Sequence, residues 1–249
     1  MAERIPTQAL TDSDAQARRV LGGRAFETVV MYILNAFLES KGIVVITGKV
    51  AALRTLVADA SNAEQIVAYT RLPVKRRCTQ TQLEDYPDSD LFAVLKPHHP
   101  RNPWRLLAII SCKVNFHARE TEAAFWGLSV RMSSSIKYVC VTQDSNIYGS
   151  RPRSELGASC ERSTKARRLL ESYTDRVYIC KQYQGVGDPR LAQDTDAVLH
   201  RLDRRSTEMQ PAFDDPSLPH HTSYCHLVRP LDDLILDLDR WKHEIPSAE

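Results

Sequence analysis

The 249 residues carry 33 Lys and Arg against 31 Asp and Glu, a formal net charge of +2, with 43% hydrophobic and 26% charged side chains. That composition is typical of a globular domain, and so small a net charge does not by itself demand a nucleic-acid partner. No run approaches the ~20 apolar residues of a membrane span, and the opening MAERIPTQALTDSD lacks the apolar core of a signal peptide. The expected location is therefore the cytoplasm. The six cysteines, at 78, 112, 140, 160, 180 and 225, form no CxxC pair and read as buried free thiols.

The spacing predicts a long helix over 13–40, with Phe26, Val29, Val30, Ile33, Leu34 and Phe37 on one side. Residues 42–46, GIVVI, read as a strand. Short helices are expected over 49–60 and 61–70, the second capped by Asn62. Leu91–Leu95 and Arg105–Val114 form two strands joined by a proline-rich connection. Residues 117–131 are helical, and Lys137–Thr142 is a buried strand. A basic helix over 161–173 and a strand over Val177–Cys180 follow. Beyond them, 188–205 looks helical, 210–230 with its four prolines looks like loop, and 231–242 is a terminal helix. This order predicts one α/β domain over 1–249, a mixed central sheet flanked by helices. Its core covers about 14–180, and 181–249 is an elaboration of that core.

The chemistry concentrates at the end of the most apolar strand, which closes on Ser111-Cys112-Lys113. Side chains alternate along a strand, so Leu107, Ile109, Ser111 and Lys113 should share a face, as should Asp90, Phe92 and Val94. If the two strands pair, Asp90 meets Ser111 and Lys113 at one end of the sheet. Cys112 points the other way and packs. Winding 118–131 at ~100° per residue puts Glu122 inside an apolar arc of Ala118, Phe125, Trp126 and Leu128, and Glu120 on the solvent side. A core-facing carboxylate needs a partner. Arg119 supplies one as an i, i+3 ion pair, and the strand end beside Lys113 is the other possibility. Glu27, bordering the arc of Phe26, Val30 and Leu34, is either a second inward carboxylate or a half-exposed helix residue. Two carboxylates, an ammonium and a hydroxyl are the parts that phosphodiester hydrolysis needs. Mg2+ prefers hard oxygen ligands, and a lysine can hold the attacking water and offset the developing charge.

Tyr86-Pro87-Asp88-Ser89-Asp90 followed by Ser111-Cys112-Lys113 resembles the PD-(D/E)xK motif of type II restriction endonucleases. Ser111 stands where the pattern has its second acid. A subset of those enzymes shares this departure, including ones that cut asymmetric sites, and takes the missing carboxylate from the next helix, a role that Glu122 matches. The runs SCKVNFHARETEAAFW, KYVCVTQD and GGRAFETVV are similar to that subset, the last to its first helix, where Glu27 would lie near the metal.

The resemblance implies a restriction-endonuclease-like fold and Mg2+-dependent, site-specific cleavage of double-stranded DNA, leaving 5′-phosphate and 3′-hydroxyl ends. It implies Asp90 and Glu122 as metal ligands with Glu27 as a further one, Lys113 as the catalytic lysine, and Ser111 as its hydrogen-bonding neighbour. Asp88 is the alternative to Asp90. It further implies a homodimer or a heterodimer with a related subunit, a DNA-recognition or dimerisation role for 181–249, a companion DNA methyltransferase and a prokaryotic cytoplasm. The other readings are a repair or recombination nuclease on the same core, and a DNA-binding protein that has lost catalysis. DNA contacts are expected from Arg76, Arg77, Arg119, Arg151, Arg153 and Lys165. His220, His221, Cys225 and His226 lack the spacing of a zinc site, and His98-His99 reads as an exposed turn.

Overall fold

The computed structural model describes residues 12–70, 72–75, 82–85, 89–99, 102–116, 119–143, 155–156, 163–180 and 227–244. The chain opens with helix α1 (Asp12–Leu38), a 3-10 turn (Glu39–Lys41) and strand β1 (Ile43–Thr47). Helices α2 (Val50–Leu56) and α3 (Ala60–Tyr69) lead to a small hairpin, β2 (Leu72–Lys75) and β3 (Gln82–Asp85). Then come β4 (Leu91–Leu95), β5 (Arg105–Lys113), α4 (Glu120–Ser133) and β6 (Lys137–Thr142). The last described elements are α5 (Lys165–Tyr173), β7 (Arg176–Ile179), β8 (Val228–Pro230) and α6 (Asp232–Glu244).

Six strands form one mixed sheet in the order β1-β4-β5-β6-β7-β8. β1, β4 and β5 pair antiparallel, whereas β5 through β8 run parallel. β4 and β5 are buried nearly throughout, as continuous apolar runs covered on both faces should be. One face packs on α1 and α6 through Phe26, Val30, Leu34, Leu234, Ile235 and Leu238. The other packs on α2 to α5 through Leu53, Ile66, Ala123, Val130 and Leu170. This is the expected α/β architecture, a mixed sheet between helical layers.

Several local readings change. Asp59 caps α3, accepting from the Ser61 and Asn62 amides at 2.8 and 3.3 Å. Asn62 instead accepts from the Trp104 amide at 2.9 Å. Val29 is exposed on α1. Residues 228–230 are a strand of the main sheet, not loop, and α6 packs against its core. The β2–β3 hairpin had no sequence signal beyond its single Pro73. The helix expected over 188–205, Asp88, the histidine cluster near 220, and Arg76, Arg77, Arg151 and Arg153 lie outside the described residues or side chains.

β1 is an edge strand, and Asn35 closes its outer side. The Asn35 amide donates to the Val45 carbonyl at 2.7 Å and accepts from the Val45 amide at 2.8 Å. One side chain thus occupies a rung that a neighbouring strand would otherwise fill.

Candidate active site

The site forms where β4 begins and β5 ends. The Asp90 amide donates to the Ile110 carbonyl at 3.1 Å, and the Asp90 carbonyl accepts from the Gly48 amide at 2.7 Å. Gly48 is required there. A Cβ would lie 2.1 Å from the Ser89 carbonyl oxygen and 2.9 Å from the Asp90 carbonyl carbon. The turn after β1 therefore presses directly on the backbone that carries Asp90.

Asp90 Oδ2 is heavily engaged. It accepts from the Cys112 amide at 2.6 Å and from Lys113 Nζ at 3.0 Å, with Ser111 Oγ at 3.5 Å. Among the described residues, no hydrogen bond reaches Oδ1. Lys113 and Asp90 are only 10% and 14% exposed, so their attraction is far less screened than that of a surface pair. The expected meeting of Asp90, Ser111 and Lys113 is thus present, at the carboxyl ends of the parallel strands where open α/β sheets bind ligands.

The route to that meeting differs in one detail. A bulge lies between Ala93↔Ala108 and Val94↔Leu106, leaving Leu107 as the extra residue. Leu107 packs in the α1/α6 cluster with Ala108 and Ile110, not with Ile109 as strict alternation predicts.

Cys112 faces away and is buried against α1 and α6. Burial, followed by the negative charges of Asp90 and Glu27, holds its thiol well above the ordinary range. A neutral, inaccessible thiol is no nucleophile. The same interaction brings Glu27 into the neighbourhood of the site. Glu27 is half-buried on α1, approaching from the opposite face of the sheet.

Glu122 is not where the helical winding put it. The buried side of α4 is Ala123, Ala124, Gly127 and Val130, while Phe125 and Leu128 are exposed. Close packing on α5 selects small residues. A Cβ on Gly127 would lie 2.4 Å from the Tyr173 carbonyl. The large apolar side chains had suggested the opposite phase. Glu122 is 44% exposed and pairs with Arg119 at 3.1 Å, the plainer of its two expected partners. Glu120 is half-buried rather than on the solvent side. Among the described residues, no three His, Cys, Asp or Glu side chains converge as a ready-made metal cage. His98 and His99 are exposed, as expected. Lys165 is exposed on the first turn of α5, but Arg167, from the same basic cluster, is fully buried against Glu171 at 2.7 Å.

Sequence reasoning missed two contributors. Gly48 carried no motif. Glu155 accepts from the Phe116 amide at 2.6 Å, just past β5, across 39 residues of chain.

An aspartate entering one strand thus sits beside a lysine that ends the next, at the carboxyl edge of a mixed sheet between helical layers. The model of the BsaWI restriction endonuclease type 2 family matches residues 62–198, more than half the chain, and the protein belongs to that family of endonucleases acting on DNA. A similar protein of Methanocaldococcus jannaschii, named as a candidate type II restriction enzyme, MjaVIP, is 26% identical over 172 residues, covering 67% of this chain and 68% of its own. Among solved structures, the specific complex of restriction endonuclease AgeI with DNA has a TM-score of 0.48 at 14% identity, over 69% of this chain and 58% of that one. The pre-specific BsaWI–DNA complex has a TM-score of 0.44 at 11% identity, over 95% and 70%. No described helix is long and apolar enough to cross a membrane.

Proposed function

We propose that the chain is a Mg2+-dependent type II restriction endonuclease, hydrolysing phosphodiester bonds of double-stranded DNA at a specific site to leave 5′-phosphate and 3′-hydroxyl ends. The observation that carries this reading is the asymmetry of Asp90. One oxygen is held by Cys112 and Lys113, and the other is left without a hydrogen bond among the described residues. A carboxylate aimed in that way suits a hard cation. Mg2+ commonly takes one or two protein carboxylates and completes its shell with water and substrate phosphate, so a pre-built cage is not needed.

Asp90 Oδ1 would be the principal ligand, with Glu27 and Glu122 as flanking carboxylates on the two sides of the sheet. The bound ion supplies charge neutralisation at the scissile phosphate. Lys113 Nζ holds the attacking water and offsets negative charge as the phosphate is attacked. Ser111 buttresses Asp90 as a long hydrogen-bond neighbour. Arg119 and Lys165, with Arg76, Arg77, Arg151 and Arg153, supply DNA contacts. Two copies of this chain, or this chain and a related subunit, act together on the two strands. A methyltransferase of matching specificity protects the host.

Plasmid DNA incubated with the purified protein should give discrete fragments with Mg2+ and none with EDTA. Lys113→Ala should abolish cutting while gel-shift binding persists. Glu27→Ala and Glu122→Ala should each reduce it. A smear instead of bands would indicate a nuclease without site preference. Binding with no cleavage at all would indicate a DNA-binding protein and overturn the catalytic assignment.

A further inference from the structure

Lys113 ends β5, and α4 starts at Glu120. Whatever sets the path between them sets how the lysine sits relative to Arg119 and Glu122. Phe116 lies midway and is 1% exposed. Its backbone groups have left the sheet and still need partners. Its carbonyl accepts from the Arg119 amide at 2.8 Å, which initiates α4. Its amide donates to the Glu155 carboxylate at 2.6 Å, a short bond to an ionised acceptor.

Glu155 is itself secured to another element. Its carbonyl accepts from Thr164 Oγ1 at 2.6 Å, and the Thr164 amide donates to the Leu156 carbonyl at 3.4 Å. Thr164 caps α5 by accepting from the Arg167 amide at 3.2 Å. Leu156 is fully buried in the core beneath α4 and α5. A carboxylate anchored to the start of α5 thus reaches across to the segment that links the catalytic strand to α4.

We infer that Glu155 is a positioning residue of the nuclease site, fixing the β5–α4 connection and with it the placement of Lys113 relative to Arg119 and Glu122. This rests on the nuclease reading. The bond needs an acceptor oxygen at full reach. Gln should preserve it, and Ala or the shorter Asp should lose it. Misplacing a reacting group by about 1 Å costs up to roughly 10²-fold in rate.

The test compares Glu155→Ala, Glu155→Asp and Glu155→Gln with the full-length wild type. Asp59→Ala, which removes the α3 cap, serves as the control for lost stability. Measurements are kcat and KM on Mg2+-supported plasmid cleavage, DNA affinity, and hydrogen exchange of residues 114–119. Glu155→Ala should lower kcat by about tenfold or more with KM nearly unchanged, the pattern of a lost transition-state interaction. Glu155→Gln should restore most of it, and Asp59→Ala should keep wild-type kcat while folded. If Glu155→Ala does not fold, Glu155→Asp carries the measurement. Wild-type kcat in the Ala or Asp variant, or an equal loss in Asp59→Ala, overturns the inference. A wild type that cuts nothing overturns the nuclease reading instead. Exchange at Phe116 then still decides the tether, with unchanged protection in the Ala variant against it and faster exchange for it.

Discussion

Asp90 and Asp237 both meet cations at low exposure, and they are finished differently. Asp237, on α6, is fully buried, and its Oδ2 accepts from Arg176 and from the Tyr178 hydroxyl. Arg240 and Arg229 face its other oxygen at 3.7 and 3.9 Å, and Asp233 shares Arg229 at 3.6 Å. Burial, reinforced by the Asp237 charge, pushes the Tyr178 hydroxyl well above the ordinary phenol range, so it stays a donor. Asp90 has a single lysine, two backbone or hydroxyl donors on one oxygen, and 14% exposure. Each carboxylate keeps one oxygen without a hydrogen bond among the described residues. That of Asp237 is sealed in the core among arginines, whereas Asp90 is held in one orientation and retains 14% exposure. Charge at low exposure does not separate a brace from a reactive centre; access to the oxygen left over does.

The sharpest way to break this contrast is Asp90→Asn. It should reduce cleavage by at least about 10³-fold, equivalent to roughly 4 kcal/mol of barrier, with a urea midpoint close to wild type. A large loss of stability with activity per folded molecule intact would place Asp90 among the braces. The converse change, Asp237→Ala, removes a fully buried partner from Arg176 and should cost about 3–5 kcal/mol of stability, read by urea denaturation. Cleavage per folded molecule should hold.

Gly48→Ala sharpens the comparison by moving Asp90 without altering its chemistry. The added methyl overlaps the Ser89 carbonyl, and single-turnover cleavage should fall by roughly 10²-fold at a temperature where the variant is folded.

The smallest effect belongs to Asp239, a partly exposed carboxylate on α6. Partial burial works against its ionisation, but hydrogen bonds from Lys242 and Lys41 outweigh this and hold its pKa below the usual value. A lowered folded-state pKa stabilises above the ordinary carboxylate pKa and is lost as pH falls through the lowered one. The stability gap between wild type and Asp239→Asn should be at most ~1 kcal/mol at neutral pH and should close in acid.

The strand pair, the helix after it and the partnership of Asp90 with Lys113 were legible because period-two patterning and long apolar runs are local signals. Leu91–Leu95 and Lys137–Thr142 match the expected strands at both ends. The phase of α4 was not legible. Its tight contact with α5 places Ala123, Ala124 and Gly127 inward and leaves Phe125 outside, reversing the usual size rule. Strand β8 was hidden among prolines, since a three-residue strand carries almost no pattern. Gly48 and Glu155 act through contacts 42 and 39 residues away in the chain, at Asp90 and Phe116, and no spacing rule encodes those.

The bridge from Asn35 to Val45 bears on what the β1 edge can accept. A β-strand arriving from another molecule at the β1 edge would find its central rung taken on both donor and acceptor sides. Pairing through the centre of β1 would first have to break those two hydrogen bonds. One amide on a helix thereby discourages the sheet from growing sideways into aggregates at this edge.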